Sequence, residues 1–286
     1  MILGHKRQWE FLKKTVESEK IPHAFLFSGQ SNLGKKTIAF ELAFLLLGEK
    51  NKQHPDLILV EPTEKEIQIA QIRDLNWKLS LKPYSVPFKV AILDQAHLMN
   101  SEAQNCLLKT LEEPKGKTVL ILIAESPGLL LPTIVSRCEN IKFYQVGQEI
   151  MQKYLKEQGV SDKEIKEISQ ISQGRPGVAV DFLTNPQAVK DRAERVKELS
   201  NLLKSDLASR FQYAKKISQE PNLKDIMNIW LAYFREELLN NLKLQKPAIS
   251  LKKLKNILWK IQTTNSLLEN TNINTKLALE ILMLEF

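Results

Sequence analysis

The sequence predicts an α/β protein in which a parallel-sheet domain precedes a small helical domain and an all-helical C-terminal domain. In the first half, short apolar runs alternate with amphipathic helical patterns, which is typical of a parallel sheet covered by helices. Strand patterns end near residue 145, and long helical patterns dominate from about residue 188 onward. Together these observations put the sheet at the N-terminal end of the chain.

Length and composition favour a globular protein with sizeable cores. The chain has 286 residues, of which 43% are hydrophobic and 26% are charged, and its net charge is +8. The longest apolar runs, 42–47 and 119–124, are shorter than the ~20 residues that cross a bilayer. The N-terminus is charged from about residue 5 and lacks an apolar signal core, so we expect a cytoplasmic protein without a membrane segment.

The cysteine and histidine content argues against metal binding. Two cysteines, Cys106 and Cys138, cannot form a disulfide framework or a four-thiolate zinc site. The four histidines are scattered without ligand spacing. We therefore expect a reduced protein with no metal site and no zinc.

The strands and helices of the first half are predicted in alternating order. Apolar runs predict buried strands at 24–28, 57–61, 89–93 and 118–124. Amphipathic patterns predict helices near 35–47, 67–80 and 101–112. Strands that alternate with helices form a parallel sheet with helices on both faces.

Two composition changes divide the chain into three predicted domains. Residues 147–183 predict two or three short helices, broken by glycine and proline between 159 and 177. The long helical patterns that follow break near Pro221 and Pro247. The predicted boundaries are 1–145 for the sheet domain, 146–186 for the small helical domain and 187–286 for the C-terminal helical domain.

A glycine-rich loop after the first strand predicts phosphate binding. Gly29 and Gly34-Lys35 have the GxxxxGK spacing, between a predicted strand and a predicted helix. In this context backbone N–H groups cradle phosphate oxygens, and Lys35 reaches the outer phosphates. The alternative interpretation is an ordinary glycine turn followed by a surface lysine.

The same loop lacks a residue that Mg²⁺ requires. The position after Lys35 is Ser or Thr in nucleotide-hydrolysing loops, because its hydroxyl binds Mg²⁺. Here it is Lys36, whose ammonium repels a metal ion. Thr37 follows, but it lies about 100° further around the helix axis. We expect a degenerate nucleotide site at Gly29, Gly34, Lys35, Thr37 and Asp94, with weak or lost binding.

The third predicted strand ends at a second degenerate position. Asp94 follows the strand, where a carboxylate supports Mg²⁺ in hydrolysing enzymes. The next residue is Gln95 rather than glutamate, and an amide cannot accept a proton from water. Two substituted catalytic positions in one site predict that the site is inactive.

Three further segments carry a family resemblance. Residues 105–114 read NCLLKTLEEP, residues 131–138 read LPTIVSRC, and residues 54–56 read HPD. In this order around the phosphate loop, they resemble the delta-prime family of bacterial DNA polymerase III clamp-loader subunits, which are AAA+ proteins. The motifs cover residues 1 to about 183, and the rest of the chain matches in length and helical character.

The resemblance implies a role for one arginine. In clamp loaders the arginine of the Ser-Arg-Cys motif projects into the ATP site of a neighbouring subunit, so Arg137 is expected to be an arginine finger acting in trans. Such a guanidinium stabilises the charge that spreads over the γ-phosphate oxygens. The alternative is that Arg137 forms an ordinary surface pair. Cys138 and Cys106 are expected to pack as small apolar residues.

Departures from the family pattern imply a subunit that does not hydrolyse ATP. Glu125 stands at the sensor-1 position, where a carboxylate repels a γ-phosphate. Gly177 aligns with the sensor-2 arginine of the motor subunit, and Arg175 is a weak substitute. The four-cysteine zinc module of many relatives is replaced by the short polar connection 48–53.

The resemblance also implies partners. The C-terminal domain is expected to join a ring with the gamma/tau and delta subunits, and the ring places a sliding clamp on primer-template DNA. ATP and Mg²⁺ are expected at neighbouring subunits, with no cofactor required in this chain. It is then a component of the DNA polymerase III holoenzyme and not catalytic alone. Two alternatives stay open: an ATP-hydrolysing gamma/tau-like motor, and a stand-alone nucleic-acid-binding AAA+ protein.

One basic segment leaves its partner undetermined. Residues 243–260 contain six lysines and no acidic residue. Such a segment indicates either a phosphate-rich partner or a solvated helix face. Lys109 and the lysines at 252–255 are candidates for contact with DNA or with protein partners, and the sequence does not separate these uses.

Overall fold

The computed structural model describes residues 2–63, 66–84, 86–241, 250–270 and 273–286. The chain divides into two compact units, Met1–Val180 and Asp181–Phe286. The three-domain division expected from the sequence stays a prediction.

The first unit contains a five-stranded parallel sheet with the order β2-β3-β4-β1-β5. Its strands are β1 (Ala24–Ser28), β2 (Leu57–Val60), β3 (Phe88–Leu93), β4 (Lys117–Ala124) and β5 (Glu139–Lys142). Its helices are α1 (Lys6–Glu17), α2 (Lys35–Leu47), α3 (Ile69–Ser80), α4 (Ser101–Glu112), α5 (Pro132–Val135), α6 (Gln148–Glu157) and α7 (Asp162–Ser172). Helix α8 spans Pro176–Thr184. The predicted α/β fold class is confirmed.

The sheet is apolar on both faces because helices cover both. Residues of β1, β3 and β4 alternate between two buried clusters: Phe25 and Phe27 belong to one, and Ala24 and Leu26 to the other. Since both faces are covered, these strands are continuous apolar runs in the sequence, and they were predicted within two residues of their observed ends.

The edge strand β5 is not predicted by the sequence pattern. It pairs with β1 alone, and Ile141 is its only buried residue. Three of its four side chains are exposed and polar, so the apolar pattern that predicts a strand is absent.

The second unit is helical. It contains α9 (Pro186–Lys204), α10 (Leu207–Ile217), α11 (Leu223–Asn241), α12 (Leu251–Asn270) and α13 (Thr275–Met283). Helix α11 packs against α9 and α12, and α13 packs against α10 and α12. Trp230 is fully buried at the centre of the core, against the rings of Phe286 and Tyr213. The break expected at Pro247 lies outside the described residues, as do Lys243 and Lys246.

No helix within the described ranges is long and apolar enough to cross a membrane.

Candidate functional site

A cavity of about 420 Å³ opens at the carboxyl edge of the sheet. Ligand sites of parallel sheets lie at this edge, where the loops after neighbouring strands converge. The lining residues come from the loop before α2 and its first turn, the end of β4, the segments after β3 and β4, and α8: Ser31, Asn32, Leu33, Gly34, Lys35, Lys36, Thr37, Asp94, Gln95, His97, Ile123, Ala124, Glu125 and Gly177. The four substituted positions, 36, 95, 125 and 177, therefore share one cavity.

The loop before α2 depends on a close approach at Gly29. Its φ is +146°, and a Cβ atom added there would lie 2.4 Å from the carbonyl oxygen of Phe143, which follows β5. A side chain would displace the backbone, so only glycine fits between the loop and this segment.

Lys35 is turned onto its own loop. Its side chain is buried, and the ammonium donates to the carbonyl oxygens of Gly29 and Gln30. Burial lowers the pKa of Lys35 to about 8, although the charges of Glu125 and Asp94 act in the opposite direction. In this geometry loop carbonyls accept from the ammonium of Lys35 at two places, so at most one of its three donors is left for the cavity.

This lowered pKa predicts a pH-dependent stability of the first unit. Below pH 8 the folded protein holds a buried charge, and the energetic penalty is fully present. Between pH 8 and the ordinary value of 10.5, the folded state has released the proton while the unfolded state still binds it, so the free energy of unfolding rises. We expect wild type to gain roughly 1–3 kcal/mol relative to Lys35→Met between pH 7 and pH 10. Urea unfolding at both pH values measures this, and a constant difference would contradict it.

Lys36 forms an ion-pair cluster at the place of the missing hydroxyl. Its ammonium lies 2.8 Å from Asp94 Oδ2 and also pairs with Glu61 Oε1. Although burial opposes it, the hydrogen bonds to Asp94 and Glu61 raise the pKa of Lys36, so the cation stays charged. The lysine thus pairs with both carboxylates and offsets one of their two negative charges from within the chain.

Strand pairing explains how Glu61 enters this cluster. Val60 is opposite Leu93 in the β2–β3 pair, and the Asp94 amide donates to the Val60 carbonyl oxygen at 2.9 Å. The residues that follow the two strands, Glu61 and Asp94, are therefore neighbours at the edge of the sheet. Glu61 is not among the site residues that the sequence predicts, because no local pattern distinguishes it from other carboxylates after a strand.

The residues of the cavity do not fit Mg²⁺. A divalent cation requires oxygen ligands, and the carboxylate of Asp94 is already paired with an ammonium. Gln95 has a φ of +53°, and its backbone N–H donates to the Asp94 carboxylate at 3.0 Å. Its side chain is an amide, so no second carboxylate follows Asp94 in the chain. The cavity therefore lacks an unpaired carboxylate at Asp94 and a general base at residue 95, which metal-assisted hydrolysis requires.

Helix α8 closes one side of the cavity. The Gly177 amide donates to the Asn32 carbonyl oxygen at 2.8 Å, and a Cβ atom at Gly177 would lie 3.1 Å from Asn32 atoms. Arg175 is not among the lining residues; its Nε donates to the Ser172 carbonyl oxygen at 3.2 Å. Gly177, which aligns with the sensor-2 arginine, therefore contacts the loop before α2 through its backbone N–H.

Arg137 lies away from this cavity, on the segment after α5. Its Nη2 is 2.7 Å from Glu112 Oε1, and its Nη1 donates to the Thr133 carbonyl oxygen at 2.9 Å. About a third of its side chain is exposed. Arg137 thus forms a surface pair in this chain, while the remaining N–H groups of its guanidinium donate to no other described residue.

The two cysteines are partly buried. Cys106 and Cys138 both pack against the apolar cluster on the sheet face that α3 and α4 cover. Burial raises the pKa of the Cys138 thiol to about 12, which suppresses the reactive thiolate.

Comparison with known proteins places the sheet unit in a replication family. The profile of a protein family described as DNA polymerase III, delta subunit, matches residues 4–147. DNA polymerase III subunit delta′ of Bacillus subtilis (strain 168) is 32% identical over 207 residues, which cover 67% of this chain and 63% of the relative. DNA polymerase III subunit delta′ of Pseudomonas aeruginosa is 33% identical over 210 residues, which cover 65% and 63%. The chain thus spans less than two thirds of the length of these curated relatives.

A solved structure has the same fold over most of the chain. The gamma subunit-related protein of DNA polymerase III from Thermotoga maritima superposes with a TM-score of 0.57 at 21% identity and covers 97% of each chain. At this level of identity the likeness concerns the fold alone.

Proposed function

Because the chain belongs to the family described as DNA polymerase III, delta subunit, we propose that it acts as the delta-prime subunit of a bacterial clamp loader. In this role it joins gamma/tau and delta subunits in a ring that places a sliding clamp on primer-template DNA. In this role the subunit acts as a component of the DNA polymerase III holoenzyme in the cytoplasm. The delta-prime relatives and the matched motifs support this assignment.

We further propose that this subunit does not hydrolyse ATP. The observation that carries the proposal is the Lys36 ammonium on Asp94, since it occupies the carboxylate that would support Mg²⁺. The absence of a general base at Gln95 and the negative charge of Glu125 in the same cavity also disfavour ATP hydrolysis. ATP and Mg²⁺ are bound at neighbouring subunits, and this chain requires neither.

Arg137 supplies the catalytic contribution of the chain, to an ATP site on an adjacent subunit. Three features support this: the Ser-Arg-Cys context, partial exposure, and location outside the chain's own cavity. Glu112 and the Thr133 carbonyl hold the guanidinium from one side, and a γ-phosphate is bound by the N–H groups that remain.

The isolated chain tests the non-hydrolysing assignment. We expect no Mg²⁺-ATP turnover above that of Lys35→Ala, and Lys36→Ser alone should leave turnover at this baseline because Gln95 still lacks a base. A phosphate-release assay with purified protein measures both. Turnover by wild type that Lys35→Ala abolishes would show a gamma/tau-like motor instead.

Reconstitution tests the assignment as a whole. Clamp loading onto primed DNA is measured with gamma/tau and delta subunits, with and without this chain. We expect loading to depend on the chain. Failure to assemble with these subunits, combined with tight DNA binding by the chain alone, would favour the stand-alone nucleic-acid-binding alternative.

A further inference from the structure

Helix α12 presents a basic and aromatic face to solvent. Lys252, Lys255 and Trp259 are exposed, and the spacing of three and four residues puts them on one side of the helix. The opposite side is fully buried through Leu254 and Ile257. The α12 face, defined as Lys252, Lys255 and Trp259, is therefore directed away from the core of its own unit.

The charges of this face are not neutralised within the described ranges of the chain. Neither Lys252 nor Lys255 forms an ion pair there, whereas the adjacent Lys253 donates to the C-terminal Phe286 oxygen at 2.7 Å. No acidic residue occurs between 238 and 268 in the sequence. The positive potential at the α12 face is thus uncompensated by nearby carboxylates of the same segment.

Trp259, the aromatic residue of the α12 face, is largely exposed to solvent. The relative exposure of Trp259 is 63%, in a unit whose other tryptophan, Trp230, is fully buried. No described aromatic ring or cation stacks on the Trp259 indole. A large planar ring beside cations is the combination that binds single strands, because bases stack on the ring while ammonium groups bind the phosphates.

We propose that the α12 face binds single-stranded nucleic acid, with a base stacked on Trp259 and phosphates held by Lys252 and Lys255. Along the helix axis the two lysines are about 4.5 Å apart, and Trp259 lies about 6 Å beyond Lys255. One short stretch of a strand therefore reaches all three side chains. The proposal concerns contact by this chain itself and is independent of the role of Arg137.

A protein partner fits a different face of the same unit. Protein interfaces are depleted in lysine at their centres and enriched in apolar side chains. Helix α13 has such a surface, with Leu277, Ile281 and Leu284 exposed at spacings of four and three residues. The α12 face has no aliphatic side chain and two lysines, so charge complementarity favours a polyanion.

Binding of the chain, with residues 1–286, to a fluorescently labelled oligo(dT) 20-mer tests the proposal. Fluorescence anisotropy is recorded as salt is raised from low concentration. We expect Trp259→Ala to weaken binding about 5- to 100-fold with an unchanged salt slope, since it removes stacking. The double variant Lys252→Gln/Lys255→Gln should reduce the slope of log K against log salt by about 1.4.

Two variants serve as matched controls. Trp77→Ala removes an indole with 60% exposure in the other unit, and Lys215→Gln/Lys216→Gln removes two exposed charges from α10. We expect both to bind oligo(dT) within about twofold of wild type. Equal losses in the control and test lysine variants would mean diffuse charge attraction and would overturn the proposal.

Three other results would also overturn it. The first is no binding of wild type at low salt, and the second is duplex DNA binding that is equally tight and insensitive to Trp259→Ala. The third is a Trp259→Ala variant that binds oligo(dT) normally but fails to assemble with other loader subunits, which would make the face a protein contact. Far-UV circular dichroism confirms that each variant is folded.

Discussion

In a reconstituted clamp loader, Arg137→Ala is expected to reduce DNA-stimulated ATP turnover at the adjacent site by about 10³-fold or more. The guanidinium offers planar, permanently charged donors to oxygens whose negative charge grows in the transition state. Fingers of this kind contribute about 10³–10⁵ in rate. ATPase assays on the assembled loader, with ATP concentration varied, measure turnover and apparent affinity separately.

Stability should change little in this variant. Arg137 and Glu112 are both partly exposed, and an exposed pair contributes about 0.2–1 kcal/mol. Thermal unfolding of the isolated subunit should therefore match wild type within a few degrees. Loader turnover that stays at the wild-type level would show that Arg137 is an ordinary surface residue.

Neighbouring carboxylates provide a matched control for the position of the guanidinium. Glu112→Gln removes the carboxylate that pairs with Arg137, whereas Glu113→Gln removes an adjacent carboxylate that has no ion pair among the described residues. We expect Glu112→Gln to reduce ATP turnover and Glu113→Gln to leave turnover at the wild-type level. Arg137→Lys should be nearly as impaired as alanine, because an ammonium lacks the forked donors.

In the second unit, Trp230→Ala is expected to lower the free energy of unfolding by about 3–5 kcal/mol. The indole is fully buried, with its ring 5.5 Å from Phe286 and 6.3 Å from Tyr213 between centroids. Truncation removes buried apolar surface and leaves a cavity that the surrounding side chains fill only in part. Urea unfolding followed by circular dichroism should show the loss, in the transition that belongs to this unit.

Trp230→Phe separates packing from hydrogen bonding. Trp230 Nε1 is buried without a hydrogen-bond partner among the described residues, so its removal breaks no bond of the folded chain. Phenylalanine keeps most of the ring, and we expect it to cost less than half of what alanine costs. A Trp230→Ala variant within 1 kcal/mol of wild type would contradict a core role for this side chain.

The substitutions in the cavity make physical sense together. Once Lys36 replaces a hydroxyl-bearing residue, its ammonium can pair with the Asp94 carboxylate, which a metal ion would need. Glu61 pairs with the same ammonium. With Lys35 also directed to loop carbonyls, the loop is held by the chain's own groups. In the proposed role, such a subunit keeps the shape of a nucleotide-binding domain, and this shape would position Arg137 for a neighbouring subunit.

The sequence by itself determined the parallel sheet, the degenerate loop and the family. These follow from local signals: apolar runs for strands buried on both faces, glycine spacing for the loop, and contiguous motifs for the resemblance. The motifs also single out positions 36, 95, 125 and 177. The order of strands in a parallel sheet brings the first three to one edge, whereas the packing of α8 adds Gly177 to the same cavity.

Only the tertiary structure decided which groups neutralise one another. The Lys36–Glu61 pair depends on the register of β2 against β3, and the Arg137–Glu112 pair joins the end of α4 to the segment after α5. The edge strand β5 and the exposure of Trp259 beside Lys255 likewise depend on packing. The physical reason is that charge pairing and burial are set by distances between segments far apart in the chain, whereas periodicity and motifs report neighbours along it.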